Sequence, residues 1–111
     1  MVSEDQEQML FVQWFRMQYP SVMIWHIPNG GHRHPAVAAK MKALGVVPGV
    51  PDLHIPAWKL WVEMKRAKGG KLSPEQKVVI PYLESIGDQV IVGHGFEDAK
   101  QKVLTSVNSG C

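Results

Sequence analysis

Pro51-Asp52-Leu53-His54-Ile55-Pro56-Ala57-Trp58-Lys59-Leu60-Trp61-Val62-Glu63-Met64-Lys65 decides the fold. Apolar and polar residues alternate on both sides of Pro56-Ala57-Trp58, the pattern of two half-buried strands. The link is short enough for an antiparallel hairpin. With Ala57 and Trp58 as the loop residues, Asp52 faces Glu63. Side chains opposed in this way have Cβ atoms ~4.5–5.5 Å apart on one sheet face. Lys65 shares that face, roughly 6–7 Å further along the strand. Leu53, Ile55, Leu60, Val62 and Met64 point the other way, into a core.

Working outward, Val50 to Ile55 and Lys59 to Lys65 are the two strands, and Pro48-Gly49 is a turn before them. Downstream, Lys68-Gly69-Gly70-Lys71 reads as a flexible basic loop. Ser73-Pro74-Glu75-Gln76 is a helix start, with a cap, an early proline and a Gln at capping-box spacing. Val79, Ile80, Leu83 and Ile86 form that helix's inner face, and Gly87 closes it. Pro81 inside it predicts a kink, because proline removes a hydrogen bond and clashes with the preceding turn. Gln89 to Gly93 is a last strand, and Phe96 to Val107 a last helix. Upstream, Ser3 and Gln6 have capping-box spacing, and Glu4 and Asp5 suit the positive end of a helix. That helix buries a stripe of Leu10, Phe11, Trp14 and Met17 and ends at Tyr19-Pro20. Val22 to Ile27 is a strand, and 28–34 a Gly-rich loop. A short helix follows, with Pro35 early, Val37, Met41 and Leu44 on one face, and Gly45 as its stop. The order α-β-(α)-β-β-α-β-α describes an α/β fold, a mixed central sheet flanked by helices.

A chain of 111 residues with 45% hydrophobic and 20% charged residues is a single globular domain spanning 1–111, not a disordered segment. One cysteine, Cys111, excludes an intrachain disulfide and a cysteine-based zinc site, and suits a reducing compartment. Met1 to Gln8 is acidic and lacks the apolar segment of a secretory signal, and no apolar run is long enough to span a bilayer. A cytoplasmic location is expected. The net charge of +2 is too weak to demand a polyanionic partner. Its distribution says more: Lys59, Lys65, Arg66, Lys68, Lys71 and Lys77 are opposed only by Glu63 and Glu75 in the same stretch. Such a run favours phosphate contact, although a solvated basic face is its usual explanation.

The hairpin places two carboxylates and an ammonium together. Carboxylates that close repel by about 1 kcal/mol or more, depending on the local dielectric. A divalent cation removes that cost, and Mg²⁺ takes one or two carboxylates plus waters and substrate phosphate. A lysine beside it offsets charge that builds on a phosphate. These are the parts phosphodiester hydrolysis needs. Taken on spacing alone, a solvated ion cluster in which Lys65 neutralises Asp52 and Glu63 is the better account.

The ordered set of motifs changes that balance. Gly49-Val50-Pro51-Asp52, Val62-Glu63-Met64-Lys65 and Gly69-Gly70-Lys71-Leu72-Ser73-Pro74-Glu75-Gln76, in this order and with these gaps, resembles the VRR-NUC family of the PD-(D/E)XK nuclease superfamily. Ile27-Pro28-Asn29-Gly30-Gly31-His32-Arg33-His34 resembles its stand-alone phage and bacterial members. The similarity spans nearly the whole chain. It implies a restriction-endonuclease-like fold and a Mg²⁺- or Mn²⁺-dependent DNA endonuclease that leaves 5′-phosphate and 3′-hydroxyl ends. It implies Asp52, Glu63 and the main-chain carbonyl of Met64 as metal ligands, and Lys65 as the residue assisting the attacking water. It also implies a carboxylate from the first helix and Gln76 at the edge of the site. Gln76 has a second reading, as the capping-box partner of Ser73. Glu7 shares the stripe of Leu10, Phe11 and Trp14 and is preferred over Glu4 as the helix carboxylate. Holliday junction resolvases of similar size and core suggest a homodimer acting on branched or four-way DNA. A phage-encoded chain would work in the cytoplasm of its bacterial host.

His32, Arg33 and His34, with Arg66, Lys68 and Lys71, are the candidate DNA contacts, although a merely polar loop explains 29–34 equally well. His54 shares the face of Asp52 and either contacts phosphate or packs on Trp61. The histidines lack zinc-site spacing. Gly70-Lys71-Leu72-Ser73 lacks the upstream glycine of a Walker A loop. Trp14 and Trp25 are expected in the core, while Trp58 and Trp61 are available for base stacking or a dimer contact. A non-catalytic nucleic-acid-binding module of the same fold is the alternative function. A phage structural or assembly protein, indifferent to metal, is a third.

Overall fold

In a computed structural model, which describes residues 2–28 and 34–109, four strands form one mixed sheet. The elements are α1 (Glu4–Gln18), β1 (Trp25–His26), α2 (Pro35–Ala43), β2 (Leu53–Ile55), β3 (Leu60–Lys65), α3 (Gln76–Ser85), β4 (Gln89–His94) and α4 (Phe96–Ser109). Strand order follows chain order, β1-β2-β3-β4. The first two pairings are antiparallel, and β3–β4 is parallel through the α3 crossover. The α/β class and the element order agree with expectation. No helix among the described residues is long and apolar enough to cross a membrane.

The hairpin register is the expected one: Leu53 pairs with Val62, His54 with Trp61 and Ile55 with Leu60. One step further, Asp52 comes opposite Glu63. The connection differs. Pro56–Trp58 forms a turn of 3-10 helix, and Lys59 closes it in the left-handed region at φ 50°. β2 also starts later, at Leu53, since Pro51 has no N–H to give a ladder.

Leu53, Ile55, Leu60, Val62, Met64 and Ile91 form one sheet face and pack against Phe11 and Phe15 of α1 and Ala99 and Val103 of α4. Phe11 and Phe15 are fully buried, and each such side chain contributes roughly 1.5–3 kcal/mol. That rotates α1 away from the expected stripe. Leu10 and Met17 face outward, 45% and 77% exposed, while Trp14 packs at the edge of the core. Phe15 was the missing member, four residues from Phe11.

Three further expectations are corrected. β1 is two residues, not six: Val22 N–H turns back to the Tyr19 carbonyl, so pairing cannot begin until Trp25. The apolar face of α2 does not enter the core: that helix buries no residue, and Val37 and Leu44 stay exposed. Trp58 and Trp25 exchange roles. Trp58 packs edge-on against Phe15 and Tyr19 beside the core, whereas Trp25 is exposed. α3 runs through Pro81.

β4 is an outer strand, and a side chain from the following helix guards it. Lys102 Nζ donates to the Val92 carbonyl at 2.7 Å and pairs with Asp98 at 3.0 Å.

Candidate active site

The sheet face opposite the core carries the chemistry. Asp52 leads into β2, and Glu63 and Lys65 stand on β3, an interior strand flanked on both sides. Asp52 Oδ2 accepts the Met64 N–H at 2.8 Å, which ties the two strands together at the site. Lys65 Nζ lies 3.4 Å from Glu63 Oε2. Gln76 Nε2 donates to the same oxygen at 2.8 Å, and Gln76 Oε1 accepts the Ser73 N–H at 2.8 Å. The amide of Gln76 therefore serves both of its readings at once. The cap acts one turn before the assigned start of α3, where Lys77 N–H closes on the Ser73 carbonyl.

Glu63 is 2% exposed, and its Oε1 is buried without a hydrogen-bond partner. Burial first, and then the charge of Asp52, push its carboxyl up to about 7, against the pull of Lys65. Burial likewise holds the Asp52 carboxyl above its ordinary range, although the Met64 N–H and His26 favour the ionised form. A desolvated carboxylate oxygen facing a second carboxylate is costly unless positive charge meets it.

The donors fit a divalent cation. Two carboxylates converge, one of them with a buried oxygen unclaimed. The Lys65 carbonyl points to β4, where it accepts the Gly95 N–H. Successive residues of a strand direct their backbone groups to opposite sides, so the Met64 carbonyl points toward Asp52. Hard oxygen donors of this kind suit Mg²⁺, which needs few protein ligands. Among the described residues there is no group of three or more His, Cys, Asp or Glu side chains arranged to hold an ion.

The structure places Glu4 and Glu7 differently. Glu7 Oε1 accepts the Phe96 N–H at 3.0 Å, at the start of α4. A side chain at Gly95 would put its Cβ 2.8 Å from Glu7 Oε2, so glycine there admits the carboxylate. Glu7 thus complements a helix N-terminus. Glu4, one turn earlier, faces the acidic pair: burial, then Asp52, raise its carboxyl, and Lys65 and Arg66 oppose them. Its inward turn was hidden because Ser3, Glu4 and Asp5 read as an ordinary helix start.

Arg66, Lys68 and Lys71 are exposed at the end of β3. Gly70 brings this loop back onto β3, since a Cβ there would sit 2.9 Å from the Lys65 Cβ. His34 caps α2, its Nδ1 accepting the Ala36 N–H at 3.1 Å, which leaves less of it for DNA. His32 and Arg33 lie outside the described residues. His54 stacks on Trp61, as the packing alternative predicts.

His26 is a residue the sequence did not single out. Its Nδ1 lies 2.9 Å from the Asp52 carbonyl and 3.1 Å from Gln8 Nε2. Asp52 is therefore held at its main chain from β1 and at its side chain from β3. Only the pairing of a short edge strand with β2 brings this histidine to the site, and nothing in residue spacing signals it.

Among solved structures, the chain superposes on one described as a VRR_NUC domain protein, with a TM-score of 0.78 and 25% sequence identity over 97% of this chain and 90% of that one. The chain carries a VRR-NUC domain. No protein-family model matches the sequence, and no curated protein matches it either. The VRR-NUC fold is of the nuclease type, and likeness across almost the full length covers the hairpin, the crossover helix and α1, the three elements that bring Asp52, Glu63, Lys65, Gln76 and Glu4 together. DNA is the partner that such a fold suggests.

Proposed function

We propose that this VRR-NUC domain is a Mg²⁺- or Mn²⁺-dependent endodeoxyribonuclease that hydrolyses phosphodiester bonds in branched DNA, with the four-way junction as its foremost substrate. The observation that carries the reading is the buried, unpartnered Oε1 of Glu63 beside Asp52. A desolvated carboxylate oxygen beside a second carboxylate is where positive charge would bind.

Asp52, Glu63 and the Met64 carbonyl would hold the cation, which supplies charge that polarises a phosphoryl oxygen and lowers the pKa of water at the site. Lys65 orients that water and offsets the negative charge that grows on the phosphate. The water oxygen bonds to phosphorus and loses its proton. The bond from phosphorus to O3′ breaks, and O3′ takes up a proton, giving 5′-phosphate and 3′-hydroxyl ends. Gln76 keeps Glu63 turned to its task, and Glu4 adds a carboxylate at the rim. Arg66, Lys68 and Lys71 meet the backbone, so the domain reads DNA shape more than base sequence. A second copy of the chain, related by a two-fold axis, would set two sites on opposing strands of a junction.

Linear, flap, fork and four-way DNA incubated with Mg²⁺, Mn²⁺ or EDTA test this reading. Asp52→Ala, Glu63→Ala and Lys65→Ala are expected to lose cleavage and keep junction binding. Turnover by Glu63→Ala at the wild-type rate sinks the mechanism. Binding without cleavage in every condition would favour the non-catalytic module instead.

A further inference from the structure

One row along the sheet from Asp52 and Glu63, three rings stand on neighbouring strands. Trp25 pairs in register with His54, and His54 with Trp61. The His54 imidazole lies on the Trp61 indole, with ring centres 3.9 Å apart and planes 13° from parallel. Trp25 meets His54 edge-on at 5.5 Å. Trp61 is fixed in turn, because its Nε1–H donates to Asp88 Oδ2 at 2.9 Å. The outermost ring is thus positioned from the interior of the sheet outward. Yet Trp25 keeps 41% of its surface exposed. An indole left open on a two-residue edge strand gives up burial that would otherwise stabilise the fold.

We infer that Trp25, braced by His54 and Trp61, is a stacking site for an unpaired DNA base next to the scissile phosphate. The inference rests on the nuclease reading of Asp52 and Glu63. Alternation puts the ring row on their sheet face: His54 lies two residues after Asp52, and Trp61 two before Glu63. The separation is roughly 6–7 Å, about the step of one nucleotide in an extended strand. Exposed Arg66, Lys68 and Lys71 lie at the other end of β3. A single strand laid along the hairpin meets cations, then the acidic pair, then an aromatic face, which is the combination that holds unpaired nucleic acid. α3 packs over β4 and buries its Ile80 and Leu83, while among the described residues Trp25 stays exposed. The substrate this selects has an unpaired nucleotide beside the cut, as at an opened branch point, rather than continuous duplex.

Binding in EDTA isolates this site from cleavage. The probes are an oligodeoxythymidine and an abasic strand of equal length, followed by fluorescence anisotropy at one fixed salt concentration, since affinity for DNA varies with salt. Wild-type protein should prefer the strand that carries bases. Trp25→Ala should weaken that binding at least about fivefold and leave the abasic affinity unchanged, with Trp25→Tyr restoring most of the loss. A strand carrying 2-aminopurine, quenched on stacking, gives the same reading with wild-type protein alone. Equal affinity for the two strands, an equal loss on both, or no quenching overturns the site. Metal-dependent cleavage with base-blind binding would remove this inference and keep the nuclease reading. Base-dependent binding without cleavage would do the reverse.

Discussion

Gln76 joins the start of α3 to the buried carboxylate of Glu63: one end of its amide donates to Glu63 Oε2 at 2.8 Å, and the other accepts the Ser73 N–H at 2.8 Å. The cap of the crossover helix and the orientation of Glu63 therefore share one side chain. Gln76→Ala is expected to cost about 1 kcal/mol of stability through the lost cap and to lower cleavage at least about tenfold. Chemical denaturation and single-turnover cleavage measure the two losses. An unchanged cleavage rate would separate the cap from the site.

Glu63 makes stability depend on pH in the absence of metal. Its folded carboxyl titrates at about 7, above the ordinary value of 4.5. The folded state then binds the proton more tightly than the unfolded state. This contribution is fully present below about pH 4.5 and is lost as pH rises toward 7. Glu63→Gln keeps the shape without the charge. In EDTA the variant should be the more stable protein at pH 8, by an amount on the order of a few kcal/mol, with the gap closing near pH 5. Melting curves across that range check the prediction, and a gap of the opposite sign would refute it.

A cation should reverse that penalty. Mg²⁺ at about 100 times its Kd adds roughly 2.7 kcal/mol to the folded state. The rise in melting temperature should be larger at pH 8 than at pH 6, because Asp52 and Glu63 must ionise to bind it. Asp52→Asn and Glu63→Gln should each abolish the rise. Calorimetric melts with and without Mg²⁺ would show it.

Glu4 and Glu7 should separate cleanly. Glu7→Gln weakens a charged hydrogen bond to Phe96 N–H and should cost about 0.5–1 kcal/mol, with cleavage held within a few-fold. Glu4→Gln relieves repulsion beside Asp52, so stability should hold or rise while cleavage falls. Paired melting and cleavage assays of the two variants decide it. The opposite pattern would restore Glu7 to the site.

The hairpin was legible because strand alternation is strict and each misstep would bury a charge. Leu53, Ile55, Leu60, Val62 and Met64 left one register for Asp52 and Glu63, and a 3-10 turn in place of a two-residue loop did not disturb it. Gln76 was legible twice over, from its cap spacing and from motif order. The face of α1 was harder. Leu10, Phe11, Trp14, Phe15 and Met17 offer two overlapping helical stripes, and only the position of α4 selects the one with Phe11 and Phe15. That rotation carried Glu7 to α4. Trp25 and His26 could not be placed from spacing, since their neighbours come from β2 and α1, distant in sequence.

Lys102 on the Val92 carbonyl occupies part of the free margin of β4. Another chain that sought to extend the sheet there would have to expel a lysine from its hydrogen bond and from Asp98 before its own backbone could dock. Continuous sheets and fibrils are discouraged at this border.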